Sequence, residues 1–403
     1  MPLRAPGTLD VLRGREFRLL FAGQAVSLLG DGMIAVALPF AVFELGGSAS
    51  TVGIVFAAGQ APLAAVILAG GVVADRLPRR RLMLAADLVR LATAGIAAAL
   101  LVSGAAEIWQ LVVLQAAYGT AAGFFYPASS GIVPMLVEPE LLQPANALRG
   151  ISNAAGKLVG PAIAGVIVAT AGPGWAFAAD SATFGISAIS LALLRPPAQI
   201  AGERRRFLRE LREGWREFVA RTWVWVAVAL AGVLGTLLFS AQAVLGPEIA
   251  RTHLGGAGAW AAIVAAGGAG AIVGGVVALR LHPSRPLVVM AIGWLALPVT
   301  PILLAVPVST AIIATASFVA GIGLTVGISL WETALQRHIP PAALSRVSSY
   351  DWFGSLALGP VGLVVVGPLA AAFGTSAVLV AAAMLFFAGD LLLAALPSVR
   401  AVD

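Results

Sequence analysis

The 403-residue chain is 60% hydrophobic and 11% charged, with a mean hydropathy of +0.96 and a net charge of +6. A soluble domain sits near half apolar and a quarter charged, so these values exclude one; a dozen spans of about 20 residues use nearly the whole length and leave no room for a soluble catalytic domain. There is no Cys and only three scattered His (His253, His282, His338), so disulfides and Cys/His metal sites are unavailable.

Arg4, Arg13, Arg15 and Arg18 stand at the start of the first apolar run, about Phe17 to Phe43. This run is too long for a signal-peptide core, and the preceding basic segment predicts an uncleaved helix that begins in the cytosol. A second helix is predicted from about Thr51 to Ala74, a third from Leu82 to Val102 and a fourth from Ile108 to Ile132, with Trp109 as an anchor at the outer interface. The fifth covers about Pro144 to Thr170, and the sixth follows Gly172-Pro173-Gly174 and reaches Leu194.

Residues 195 to 221 form the one strongly charged insertion. In it Arg204, Arg205, Arg206, Arg209, Arg212, Arg216 and Arg221 interleave with Leu208, Leu211, Trp215 and Phe218. Apolar residues at helical spacing predict an amphipathic helix on the inner membrane surface, the alternative being a solvated linker. Six more helices follow, at about Trp223 to Leu245, Ala257 to Leu279, Leu287 to Val306, Thr310 to Thr333, Leu344 to Ala371 and Ser376 to Leu396. The resulting division is a six-helix bundle at 1–195, a cytosolic amphipathic linker at 196–221 and a second six-helix bundle at 222–403.

With alternate loops inside, nearly every Arg is cytosolic and Arg251 is the clear exception, which places both termini in the cytosol. The Arg residues sit at helix ends and in loops rather than on one recognition face, so the charge reports topology and not nucleic acid.

GGVVADRLPRRR at 70–81 recurs as GGVVALRLHPSR at 274–285, with eight identities in twelve positions. Gly160-Pro161 and Gly359-Pro360 echo each other in the same way. The chain therefore reads as two copies of one unit. Gly71, Asp75-Arg76, Leu77, Pro78 and Arg79-Arg80 resemble the loop signature between the second and third helices of major facilitator superfamily transporters, with Pro78 where the signature has Gly. That resemblance implies an all-α membrane protein of 12 transmembrane helices in two pseudo-symmetric six-helix bundles.

Gly156-Lys157-Leu158-Val159-Gly160-Pro161, followed by Gly165, resembles the antiporter signature of drug:proton exporters. Small residues permit close helix packing, and an intrahelical Pro frees a carbonyl and bends the helix. FRLLFAGQAVSLLGDGM in the first helix, FYPASSGIVPMLV at 125–137, ANALRGISNAAGKLVGP at 145–161 and WETALQRHIPPAALSRV at 331–347 are similar to the macrolide-efflux-like branch, which includes macrolide, tetracycline and siderophore exporters. The fourth helix lacks the Arg of the drug exporters and has Gln115 and Tyr118 instead, so a proton relay built on that Arg is excluded.

The resemblance implies a monomeric, proton-coupled exporter of small molecules in the cell membrane, without a cofactor. A siderophore exporter, a lipid flippase or a symporter fits the same fold. ATP-driven pumping fits poorly: five residues rather than four separate Gly150 from Gly156-Lys157, and Leu158 replaces the Ser or Thr of a phosphate loop. The Gly runs at 268–274 and 321–327 have one residue too many for a dinucleotide turn and no preceding strand. A membrane-embedded enzyme would need a His cluster, an activated nucleophile or paired carboxylates, and the linear sequence offers none.

Ionisable residues within the predicted spans are Asp31, Asp87, Arg90, Lys157, Asp180, Glu332, Asp351 and Asp390. Each charge needs a partner or water, because at the bilayer centre it costs about 2.5 to 3.5 kcal/mol. Asp31 and Lys157 fall about fourteen residues into their helices, at one depth near the midplane, and are expected to pair and to couple protons to export. Asp87, Arg90 and Arg149 are placed toward the cytosolic ends as one polar cluster, with an intrahelical Asp87–Arg90 pair as the competing reading. Asp180 is placed in the outer third without a role. At the gate, Asp75 is expected to approach residues 344–348 with Arg346 as its partner, and Arg76, Arg79 and Arg80 to face Glu138 and Glu140. Gln24, Asp31, Gln115, Tyr118, Phe239 and Gln242 line a central cavity if helices 1, 4 and 7 face it, as the resemblance implies; few polar groups and several aromatics suit a bulky, largely apolar substrate.

Overall fold

The computed structural model describes residues 10–197, 215–306, 308–340, 347–348, 350–351, 353–354 and 357–402, with the side chains of 68–72 and 74–76 outside the description. The charged insertion therefore falls largely outside it, as do Arg346 and the side chains of Asp75 and Arg76.

Helix is the only regular secondary structure among the described residues, which contain no strand. In lipid this is what backbone chemistry requires of an open chain, since a helix satisfies its own N–H and C=O groups. The first half supplies α1 (Arg15–Glu44), α2 (Ala49–Arg76), α3 (Arg79–Ser103), α4 (Ile108–Leu136), α5 (Leu142–Ala171) and α6 (Pro173–Leu193). The second half supplies α7 (Thr222–His253), α8 (Ala257–Ala278), α9 (Pro286–Ala305), α10 (Thr310–His338), α11 (Gly359–Phe373) and α12 (Thr375–Ala395). Eleven of these are long and apolar enough to cross a bilayer, and α11 is shorter.

Local chemistry sets the helix ends. Glu107 and Gln110 cap α4 reciprocally, with the Glu107 backbone N–H donating to Gln110 Oε1 at 2.8 Å. The exposed Trp109 indole donates to Glu107, as suits an interfacial anchor. Gly104, at φ +72°, ends α3 in a left-handed turn that only Gly takes without strain.

Two helices depart from the sequence reading. In α7 the segment Ala231–Gly235 is widened into a π turn, and a side chain at Gly232 would lie 2.6 Å from the Gly354 carbonyl, so the irregularity sits at a close backbone approach. The expected continuous helix from Leu287 to Val306 is instead broken into Pro286–Trp294 and Val299–Ala305. Pro298 and Pro301 carry no N–H, so the helical ladder cannot run through the break.

The chain forms two compact units, Met1–Gly47 with Ala58–Gly202 and Ser48–Ala57 with Glu203–Asp403. In the first unit α1 packs on α5 and α6, and α3 packs on α4 and α6. In the second α8 and α9 pack on α10, and α11 and α12 on α7.

Lipid gives helices little hydrophobic reason to associate, so close packing carries the load. Glycines supply it at matched places. A side chain at Gly119 of α4 would strike the Gly59 carbonyl of α2, and one at Gly321 of α10 would strike the Gly267 carbonyl of α8. The duplicated sequence is thus matched by a duplicated packing device.

Candidate proton and substrate site

The α1–α5 contact is built from glycine. A Cβ at Gly156 would stand 2.5 Å from the Leu28 carbonyl, and one at Gly160 would stand 2.6 Å from that of Leu29 and 2.8 Å from Gly32 Cα. Gly156, Gly160, Pro161 and Gly165 are all buried, and together they lay the α5 backbone directly on α1.

This same face explains why Asp31 and Lys157 do not pair. Residues 156 and 160 point at α1, so residue 157, about 100° further round the helix, turns away. Lys157 is exposed and makes no hydrogen bond or ion pair among the described residues. Asp31 accepts its hydrogen bond from the Tyr118 hydroxyl on α4 instead.

The buried cation of the unit is Arg90. It is 1% exposed, ion-paired with Asp87 one turn earlier on α3, and its guanidinium carbon lies 4.0 Å from the Phe125 ring centroid and 4.6 Å from that of Phe184. Ser187 of α6 donates to the other Asp87 oxygen at 2.6 Å. A guanidinium suits this setting, since its plane stacks on rings while its edge meets a carboxylate. The sequence reading put Asp87 and Arg90 toward a helix end; α3 begins at Arg79, and Arg90 stands next to the midpoint of Arg79–Ser103.

Arg149, the third member of the expected cluster, does not join that ion pair. Its guanidinium donates to Ser129 Oγ at 3.0 Å, and the Gln24 amide donates to the same oxygen at 2.6 Å. This α5–α4–α1 bridge lies on the wall of a cavity of about 230 Å³ lined also by Asp31, Arg90, Tyr126 and Asn153. Ser129 and Asn153 were not expected there. Their signal is weak, since Ser and Asn are ordinary residues in helices with many small side chains.

A second cavity, of about 10 Å³, lies on the other side of Asp31. Its lining includes Thr93, Gln115, Tyr118 and Asp180. The larger cavity uses the first half of α1 and α5 and the last part of α4, while the smaller uses the last part of α1 and the first parts of α4 and α6. Asp31 and Tyr118 therefore stand between one cavity toward the arginine-rich helix ends and one toward the opposite ends. Gln24 reaches the larger space, and Gln115 and Tyr118 reach the smaller. In the second unit Phe239 is exposed and Gln242 half-buried on α7.

At the arginine-rich end, Arg80 donates to the Leu191 and Ala192 carbonyls at 2.7 and 2.5 Å, and Arg79 donates to the Gly131 carbonyl. Leu191 and Ala192 lie in the last turn of α6, where carbonyls lack α-helical donors and the dipole is negative, while Gly131 lies five residues before the end of α4. Glu138 and Glu140, the expected acceptors, are exposed.

The Major Facilitator Superfamily profile matches residues 20–362. The chain belongs to that family. It is a multi-span membrane transporter of small molecules and not an enzyme. Among its relatives, the multidrug efflux pump Tap of Mycobacterium tuberculosis is 29% identical over 430 residues, covering 97% of this chain and 95% of that protein. The enterobactin exporter EntS of Citrobacter koseri is 28% identical, covering 93% and 92%. The macrolide efflux protein A of Streptococcus pyogenes is 25% identical, covering 60% of each. The fold is also that of the nucleoside transporter NupG crystal structure, with a TM-score of 0.75 at 12% identity over 94% of this chain and 98% of that one.

Proposed function

We propose that this superfamily member is a proton-coupled antiporter that exports bulky, largely apolar small molecules by alternating access. The arginine-rich helix ends and both termini lie in the cytosol of a cell whose plasma membrane holds the protein as a monomer. Residues 1–195 and 222–403 form the two bundles, and 196–221 the amphipathic linker on the inner surface.

The observation that carries this reading is Asp31. It is a carboxyl at mid-helix, held by Tyr118 between two cavities, in a chain similar over nearly its full length to a multidrug efflux pump. In the cycle, a proton taken from the outer side neutralises Asp31 as cargo leaves, and its loss to the cytosol restores a charged cavity for the next molecule. Lys157, exposed and one position from the α1 contact, takes a screening role rather than that of a direct partner. Gln24 and Ser129 give the cavity polar points for orienting cargo.

The test is transport in proteoliposomes of labelled erythromycin, a macrolide, with and without a pH gradient. Gradient-dependent accumulation supports the reading; accumulation indifferent to the gradient sinks it. The similarity to EntS favours a second reading, siderophore export, which the same vesicles test with a labelled catecholate siderophore in place of the macrolide.

A further inference from the structure

Asp180 is a buried carboxyl that nothing above employs. It lies on α6 at 1% exposure, and neither oxygen has a hydrogen-bond partner among the described residues. Buried polar atoms in native proteins are almost always satisfied, and an exception calls for an explanation. A packing role offers none, because Asn, Leu or Ala would fill such a site without leaving two acceptors bare.

The surroundings supply one. Gly30, next to Asp31 on α1, has no side chain, and a Cβ there would collide with the Asp180 carboxylate and the Thr183 hydroxyl. Asp180 therefore lies directly on the α1 backbone beside Asp31. It also lines the small cavity with Tyr118, whose hydroxyl is bonded to Asp31. A space of about 10 Å³ is about the size that admits one water.

The charges facing this place are few. From α1 comes Asp31 and from α3 Arg90, which is itself paired with Asp87; from α4 comes Tyr118, with Tyr126 behind it. Lys157 of α5 is exposed, and Arg149 lines the other cavity. Three carboxyls thus share one guanidinium. A cluster so composed varies in charge chiefly by the number of protons it holds.

We propose that Asp180 is a second proton-carrying carboxyl, passing its proton to Asp31 through the Tyr118 hydroxyl. This rests on the proton-coupled reading above. In the step, the Asp180 O–H bond breaks as its proton passes to one water in the small cavity, and that water gives a proton to the Tyr118 oxygen. The original Tyr118 proton moves to the Asp31 carboxylate, leaving Asp31 protonated, Tyr118 unchanged and Asp180 ionised. Asp180 refills from the small cavity, and Asp31 empties into the large one.

The test joins a spectroscopic readout to a transport one. In infrared pH titrations of the purified protein in lipid nanodiscs, Asp180→Asn is expected to delete one protonated-carboxyl stretching component. Asp31→Asn is expected to move the midpoint of that component by about one pH unit, as coupled sites do. In proteoliposomes Asp180→Asn is expected to lose gradient-driven erythromycin accumulation while keeping erythromycin exchange at equal pH. Should Asp180→Asn not fold, Asp180→Ser carries the same measurements.

An unchanged carboxyl spectrum in the variant, or gradient-driven accumulation equal to wild type, overturns the role of Asp180 and leaves Asp31 standing. Wild-type accumulation indifferent to the gradient defeats the proton-coupled reading itself and takes this inference with it.

Discussion

Tyr118 donates its hydroxyl proton to Asp31, joining α4 to α1 at the middle of the first unit. The ring of the same tyrosine packs edge-on against Phe184 at 5.9 Å between centroids, so its position does not depend on the hydroxyl alone. Tyr118→Phe therefore keeps the packing and removes one hydrogen bond. The expected result is a folded protein whose gradient-driven export is slowed by about tenfold, the equivalent of about 1.4 kcal/mol. Initial rates in proteoliposomes check this, and a rate equal to wild type removes Tyr118 from the coupling path.

The Asp87–Arg90 pair makes a stability prediction. Removing one partner of a buried ion pair leaves an uncompensated charge and costs about 3 to 5 kcal/mol, whereas replacing both by apolar groups is often neutral. Arg90→Met should therefore lower the thermal unfolding temperature in detergent more than Asp87→Leu/Arg90→Met does. A double variant as unstable as the single one would show that the stacking on Phe125 and Phe184, and not the charge pair, dominates.

The glycines of α5 are not equivalent. Gly160→Ala inserts a methyl 2.6 Å from the Leu29 carbonyl and should destabilise by about 1 to 3 kcal/mol. At Gly150 a methyl meets nothing within 4 Å, and Gly150→Ala should stabilise by about 0.5 to 1 kcal/mol through helix propensity. Melting curves of the two variants measured side by side should move in opposite directions.

Gln24 and Arg149 meet at Ser129 on the cavity wall. Ser129→Ala removes the shared acceptor and frees both side chains. The expected effect is a higher KM for exported macrolide with little change in maximal rate, since cargo binding and not proton movement is touched. A fall in maximal rate at constant KM would place the bridge in the transport cycle instead.

Much of the fold was legible in the sequence. Apolar runs of spanning length, the repeated GGVVA stretch and the antiporter-like glycines carry their meaning locally, because helix length and small-residue spacing are properties of a single segment. The helix pairs built on Gly156 and Gly160 follow directly. The site was less legible, since partners depend on helix rotation. Lys157 and Asp31 share a depth, but one residue's step beyond the Gly156 face turns Lys157 outward. Arg90 was assigned to a helix end although the predicted span, Leu82 to Val102, already put it two residues from the middle; the observed Arg79–Ser103 puts it one residue away. Its face was nonetheless visible: Asp87, Arg90, Ala94 and Ala97 recur at three- and four-residue spacing and are all buried. The break at Pro298 and the π turn at Ala231–Gly235 come from tertiary approach and proline chemistry that a hydropathy pattern does not register.

The central claim is that Asp31 carries the proton that drives export. Its most direct measurement is accumulation of labelled erythromycin in proteoliposomes under an imposed pH gradient, comparing wild type with Asp31→Asn of equal folding and equal reconstitution. The account predicts that wild type concentrates the macrolide and loses it when a protonophore collapses the gradient, while Asp31→Asn exchanges macrolide but never concentrates it. Accumulation by Asp31→Asn equal to that of wild type would contradict it.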